Sequence, residues 1–191
     1  MKKLLFLLLL SSVAYGQAIT NRLLTPVGAV KSFMPNITIA NTSATETSLL
    51  GSVKDTIQAN TLIPYRPYRF ELYCVVNTPV VSLPTLTIKV TLGGATVAML
   101  SPTSVGGGLV NAGLRVRGFI VSNGLNSQIV LTEIMQPNGL VVNLGNSNGT
   151  FYSATATNMG LKQMLDITAT WGGFTLGTAS IKSVYYYAPD F

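Results

Sequence analysis

Six carboxylates, one thiol and no imidazole are what this 191-residue chain offers for chemistry. Without His, the usual general base, the Ser-His and Cys-His nucleophile pairs and the commonest transition-metal ligand are all missing. That excludes most hydrolase designs. The acids, Glu46, Asp55, Glu71, Glu133, Asp166 and Asp190, stand singly along the chain. A glycosidase requires two such groups to converge across a cleft, whereas Glu71 and Asp166 fall on the polar faces of predicted strands, where partial exposure is expected. Calcium requires clustered oxygen ligands, and no Asp-rich loop is present. Cys74 lies in the alternating run Phe70, Leu72, Cys74, Val76 and reads as a small core residue, not a reactive thiol. As the single Cys it leaves no intramolecular disulfide, so stability must come from packing. Gly106-Gly107-Gly108 is followed by neither Lys-Ser nor Lys-Thr and opens no helix, so it predicts a flexible loop and not a phosphate cradle. Asn36-Ile37-Thr38, Asn41-Thr42-Ser43 and Asn148-Gly149-Thr150 match the N-glycosylation pattern by chance in a chain rich in Asn and Thr. The expectation is no catalytic, cofactor-binding or metal site.

The elements that would position these residues are strands. Thr85 to Leu92 alternates strictly, with Leu86, Ile88, Val90 and Leu92 on one face and Thr and Lys on the other, which predicts a strand buried on one side. Gly93-Gly94 follows and then Ala95 to Leu100, and two glycines supply the positive φ angles of a two-residue hairpin. Further strands are expected at Asn36 to Ala40, Ser48 to Val53, Arg69 to Asn77, Leu114 to Ser122, Gln128 to Met135, Leu140 to Leu144, Gln163 to Trp171 and Ser180 to Tyr187. Turn chemistry separates them at Asn123-Gly124, Pro137-Asn138-Gly139, Asn146 to Gly149 and Gly172-Gly173. Ser101 to Gly113 reads as a loop, and Met159 to Leu165 as a short helix. With many short strands and no sustained helical period, the expected class is all-β: two antiparallel sheets packed as a sandwich, jelly-roll-like.

Two aromatic groups stand out. Tyr65, Tyr68, Phe70 and Tyr73, interleaved with Arg66 and Arg69, could present a carbohydrate or protein contact surface, although core and edge packing of one strand is the simpler reading. Tyr185-Tyr186-Tyr187 places aromatics on both faces of a last strand, so one face should meet something outside its own sheet.

Met1-Lys2-Lys3, the apolar run Leu4 to Leu10 and the small residues Ala14 and Gly16 have the order of a secretory signal peptide, with cleavage expected after Gly16. The apolar run is too short to span a membrane. The expected organisation is a signal peptide over residues 1–16, an N-terminal arm over 17–35 and one β-sandwich domain over 36–191, in a protein exported to the periplasm, cell surface or medium. The formal charge of +6 is scattered and two of its bases, Lys2 and Lys3, lie in the leader, so nucleic acid is not an expected partner. Charged residues make up 9% of the chain against 48% apolar ones, a composition suited to burial against other copies or other proteins.

The runs Leu49-Leu50-Gly51-Ser52-Val53, Ile57-Gln58-Ala59-Asn60-Thr61-Leu62, Arg69-Phe70-Glu71-Leu72 and Leu86 through Val97, with its Gly93-Gly94-Ala95-Thr96, resemble bacteriophage virion structural proteins of the jelly-roll-like β-sandwich kind. Head fibres, decoration proteins and tail appendages are of this kind. Asp166-Ile167-Thr168-Ala169-Thr170-Trp171 is similar to the penultimate strand of that group, and the resemblance runs from about Leu49 to Tyr187. It implies a capsid-associated structural component that works as a trimer or pentamer alongside other virion proteins. It carries no functional residue across, since the matching positions are packing and turn residues. A cleavable signal departs from the pattern, because virion proteins assemble in the cytoplasm. The leading expectation is therefore a non-enzymatic component of a virion or similar extracellular assembly. An exported cell-surface or matrix sandwich and a small outer-membrane barrel are the alternatives, with an enzyme more distant.

Overall fold

A computed structural model describes residues 30–42, 44–62, 66–80, 84–135, 149–172 and 177–189. The expected leader, the strand at Leu140 to Leu144 and the turns at Pro137 and Asn146 lie outside these residues. Twelve strands are present among the described residues: β1 (Val30–Phe33), β2 (Thr38–Ala40), β3 (Thr47–Ser48), β4 (Asp55–Ile57), β5 (Tyr68–Asn77), β6 (Thr85–Leu92), β7 (Ala95–Ser104), β8 (Ala112–Gly124), β9 (Ser127–Met135), β10 (Gly149–Thr155), β11 (Gln163–Gly172) and β12 (Ser180–Pro189). They form two antiparallel sheets packed face to face, the β-sandwich that the alternation predicts. The seven-stranded sheet runs β1-β12-β5-β8-β9-β10, with β2 beside β1 on the same partner, and the five-stranded sheet runs β3-β11-β6-β7, with β4 also on β11. Among the described residues no strand of one sheet pairs with a strand of the other, and the space between the sheets is filled by side chains, among them the fully buried Trp171, Tyr186, Phe70 and Ile88. Two separate sheets packed face to face, in place of one sheet closed on itself, correct the alternative of a small outer-membrane barrel. No helix among the described residues is long and apolar enough to cross a membrane.

The hairpin at Gly93-Gly94 forms as expected. Leu92 pairs with Ala95, and the two glycines take φ +58° and +83°, the left-handed values a two-residue turn requires. Leu86, Ile88, Val90 and Leu92 are all 2% exposed or less. Cys74 is buried on the inner face of β5, and burial pushes its thiol pKa far up, as expected for a packing residue.

Four local expectations are corrected. Ser48 to Val53 is not one strand: β3 stops at Ser48, Leu49 and Leu50 dive into the core, and Gly51 at φ +66° starts a single 3-10 turn before β4. A left-handed residue cannot continue a pleated ladder, and the Leu50 amide donates to Ser48 Oγ instead. Ser101 to Gly113 is loop only in its middle, because β7 extends to Ser104 and β8 begins at Ala112. Only residues 105–111 loop, and Thr78 ties them down by donating to the Gly106 carbonyl and accepting from the Leu109 amide. Met159 to Leu165 is a turn followed by the start of β11, since Leu165 gains more by pairing between Asp55 and Leu92 in the sheet than a single helical turn could supply. The β8–β9 turn is centred on Leu125 and Asn126, with Asn123-Gly124 still within β8.

Alternation along the chain predicts no strand at β1, β4 or β10, and the structure forms all three. Val30–Phe33, within the expected arm, is hydrogen-bonded along β12.

Candidate functional site

The period of two that fills the core also builds the outer surface of the seven-stranded sheet. In β5, Tyr68, Phe70 and Leu72 turn inward while Arg69, Glu71 and Tyr73 turn outward. Arg115, Arg117 and Phe119 of β8 and Leu131, Glu133 and Met135 of β9 face the same way. In β12 a register shift between Ser183 and Tyr185 resets the alternation. Tyr186 is thereby fully buried, and Tyr185 and Tyr187 lie on the outer face.

Strand register arranges these side chains in rows across the sheet. One row is Tyr185, Tyr73, Arg115 and Met135, and the next is Tyr187, Glu71, Arg117 and Glu133. A third is Arg69, Phe119, Leu131 and Tyr152. The Tyr185 and Tyr187 rings stack with centroids 6.5 Å apart, and Tyr73 lies 6.3 Å from Tyr185. The Arg115 guanidinium sits 5.4 Å from the Tyr73 ring centre and also pairs with Glu71. Tyr73 donates its hydroxyl to Glu71 at 2.7 Å, and Arg117 holds Glu133 through Nε at 2.6 Å.

These contacts set the protonation states. Partial burial pushes the Glu71 carboxyl up, but hydrogen bonds from Tyr73 and Arg115 and the charges of Arg115 and Arg117 outweigh it and leave the pKa below the usual range. Tyr73 is raised, first by its bond to Glu71 and then by burial, and Arg115 is raised first by its bond to Glu71. Near pH 7, Glu71 is thus held as an acceptor and Tyr73 as a donor. A carboxyl whose pKa is depressed on folding contributes stability above its unfolded value, and loses it as pH falls through the folded one. We therefore expect acid unfolding to steepen below the ordinary Glu value of about 4.3. In Glu71→Gln, part of that slope should disappear when melting is followed by circular dichroism between about pH 5 and 3. An unchanged slope would show that the pair is not formed in solution.

The other acids do separate work. Glu46 accepts from Lys89 at 2.7 Å and Thr168 at 2.8 Å on the outer face of the five-stranded sheet, which lowers its pKa. Asp166, expected to be partly exposed, is 6% exposed: Ser48 donates to it at 2.6 Å, the Ile167 amide at 2.9 Å, and Lys54 pairs with it at 2.9 Å. The short β3 strand and the turn after it fold over that carboxylate, which a single-strand pattern cannot reveal. Asp55 is also buried, between the sheets, where it accepts from Lys31 at 3.0 Å and from both the Tyr68 and Tyr186 hydroxyls. Asp190 and Tyr65 lie outside the described residues. Among those described, no three His, Cys, Asp or Glu side chains cluster in a way that could hold a metal ion. The expected aromatic cluster divides, with Tyr68 and Phe70 in the core and Tyr73 on the surface. Sequence reasoning missed that Tyr73 joins Tyr185 and Tyr187, strands far apart in the chain.

No protein-family profile and no curated protein sequence matches the chain. Among solved structures it is similar to the CBM2 module of the evolved Dit of Lactobacillus casei BL23 phage J-1, at 13% identity over 72% of this chain and 67% of that one, with a TM-score of 0.33. The alginate lyase Aly36B is 12% identical over 85% of this chain and 97% of its own, with a TM-score of 0.33. Peanut lectin, solved with a nine-residue peptide, is 8% identical over 86% and 92%, with a TM-score of 0.31. At this level of likeness no residue role passes from any of them to this chain.

Proposed function

We propose that the chain is a non-enzymatic structural subunit of a virion or similar extracellular assembly, exported through residues 1–16 and joined to further copies by protein-protein contacts. The observation that carries this reading is the outer face of the five-stranded sheet. Thr85, Thr87 and Thr91 of β6 and Thr170 of β11 form its surface with the exposed Met99 of β7. The charges on it are paired, Lys89 with Glu46 and Lys54 with Asp166. Threonine presents a methyl group beside a hydroxyl, so such a face loses little on dehydration, whereas a face of unpaired charges would lose several kcal/mol per ion. Interface centres are depleted in charge for the same reason. The low overall charge and the resemblance to phage sandwiches agree with this face being covered in the working state.

Light scattering on the protein from Gln17 to Phe191 at micromolar concentration should give a closed oligomer, with trimer or pentamer as the expected forms. The double variant Thr87→Arg, Met99→Glu should shift it to monomer with unchanged circular dichroism. A wild-type protein that stays monomeric and is absent from particles released by its source cells would overturn the assembly reading. The exported surface sandwich would then stand in its place, supported by the aromatic and charged rows on the opposite sheet.

A further inference from the structure

The outer face of the seven-stranded sheet contains a groove of about 300 Å³ that crosses β5, β8 and β9. One wall is the row Arg69, Phe119 and Leu131, the other is the row Glu71, Arg117 and Glu133, and Gly118 lies in the floor between them. The walls are two residues apart along each strand, roughly 7 Å, and three strands give a length on the order of 10 Å.

Three observations restrict what can lie there. First, β5, β8 and β9 each have a hydrogen-bonded neighbour on both sides, so no free strand edge is available to pair with a peptide backbone. Recognition must come from side chains alone. Second, two arginines face two glutamates, so neither a polyanion nor a polycation gains from the charge balance. Third, the walls differ in kind. Phe119, 38% exposed, and Leu131 offer an apolar surface, while Glu71, Arg117 and Glu133 offer acceptors and donors already held in place by ion pairs. A ligand with one apolar face and a dense rim of neutral hydroxyls satisfies all three conditions.

We infer that this groove is a binding site for a neutral saccharide, with a pyranose ring laid against Phe119 and its hydroxyls bonded to Glu71, Arg117 and Glu133. The ring's C–H face covers the aromatic, and charge-assisted hydrogen bonds fix its orientation. The inference does not depend on self-association, because the groove and the threonine face lie on opposite sheets.

Glucan, mannan and galactan hexaoses titrated into the mature protein by calorimetry are the test, with a galacturonate hexamer as the charged comparison. At least one neutral hexaose should bind, more tightly than the uronate, and move the amide resonances of Gly118 and Phe119. Phe119→Ala and Arg117→Ala should each weaken it tenfold or more, while Leu161→Ala, at an exposed position in the turn before β11, leaves it unchanged. Both binding-site positions face solvent, and a melting curve verifies that each variant is folded. No binding of any neutral hexaose, binding of the uronate alone, or shifts confined to other strands would overturn the site. Oligomer size measured on the same samples reports on the assembly reading separately.

Discussion

Asp55→Ala should destabilise the protein by about 3–5 kcal/mol, because the carboxylate is a buried acceptor shared by three donors from the opposite sheet. Asp55 stands on β4 of the five-stranded sheet, while Lys31, Tyr68 and Tyr186 stand on β1, β5 and β12 of the other. Lys31 also donates to the Thr56 carbonyl and lies 5.7 Å from the Tyr68 ring centre, so its ammonium is fixed at the margin of the core. Removing the carboxylate leaves two buried hydroxyls to find new partners where water has poor access, and costs the partly exposed Lys31 its ion pair, which is why the loss exceeds that of one surface ion pair. Tyr68→Phe and Tyr186→Phe should each cost less, about 1–2 kcal/mol, since Asp55 keeps its remaining donors. Urea unfolding of the three variants measures the difference. A loss below about 1 kcal/mol for Asp55→Ala would show that water reaches the carboxylate and that the sheets are not tied there.

The second large effect is expected at Ile88→Asp, at about 3 kcal/mol or more, from placing an unpaired charge in the apolar interior. Ile88 is fully buried and lies between Ala169 of β11 and Leu100 of β7 in the centre of the five-stranded sheet. Its neighbour Thr87 points the other way, so Thr87→Asn should stay within about 0.5 kcal/mol of wild type. Thermal melts of the pair read the alternation directly. Equal effects at the two positions would mean that β6 is not buried on one side.

That alternation was legible because it is a local property. Leu86 to Leu92, with Gly93-Gly94 after it, contains within ten residues both the reason one face is buried and the reason the chain reverses. The same holds for Cys74 as a core residue and for the all-β class. Where local preference is weak, pairing decided instead. The polar β10 is a strand because β9 offers it a ladder, and residues 101–104 extend β7 because β6 lies alongside. Short strands β1 to β4 exist only as partners of β12 and β11.

By itself, then, the sequence determined the period, the hairpin, the buried faces and the absence of imidazole chemistry. Each of these depends on residue types a few positions apart. Tertiary structure alone decided which distant strands lie side by side. That placed Tyr73 with Tyr185 and Tyr187, set Arg117 between Glu71 and Glu133, and closed Asp55 and Asp166 among partners up to 131 residues away in the chain. A side chain's neighbours across a sheet follow from strand order and register, and these emerge only when the whole core packs.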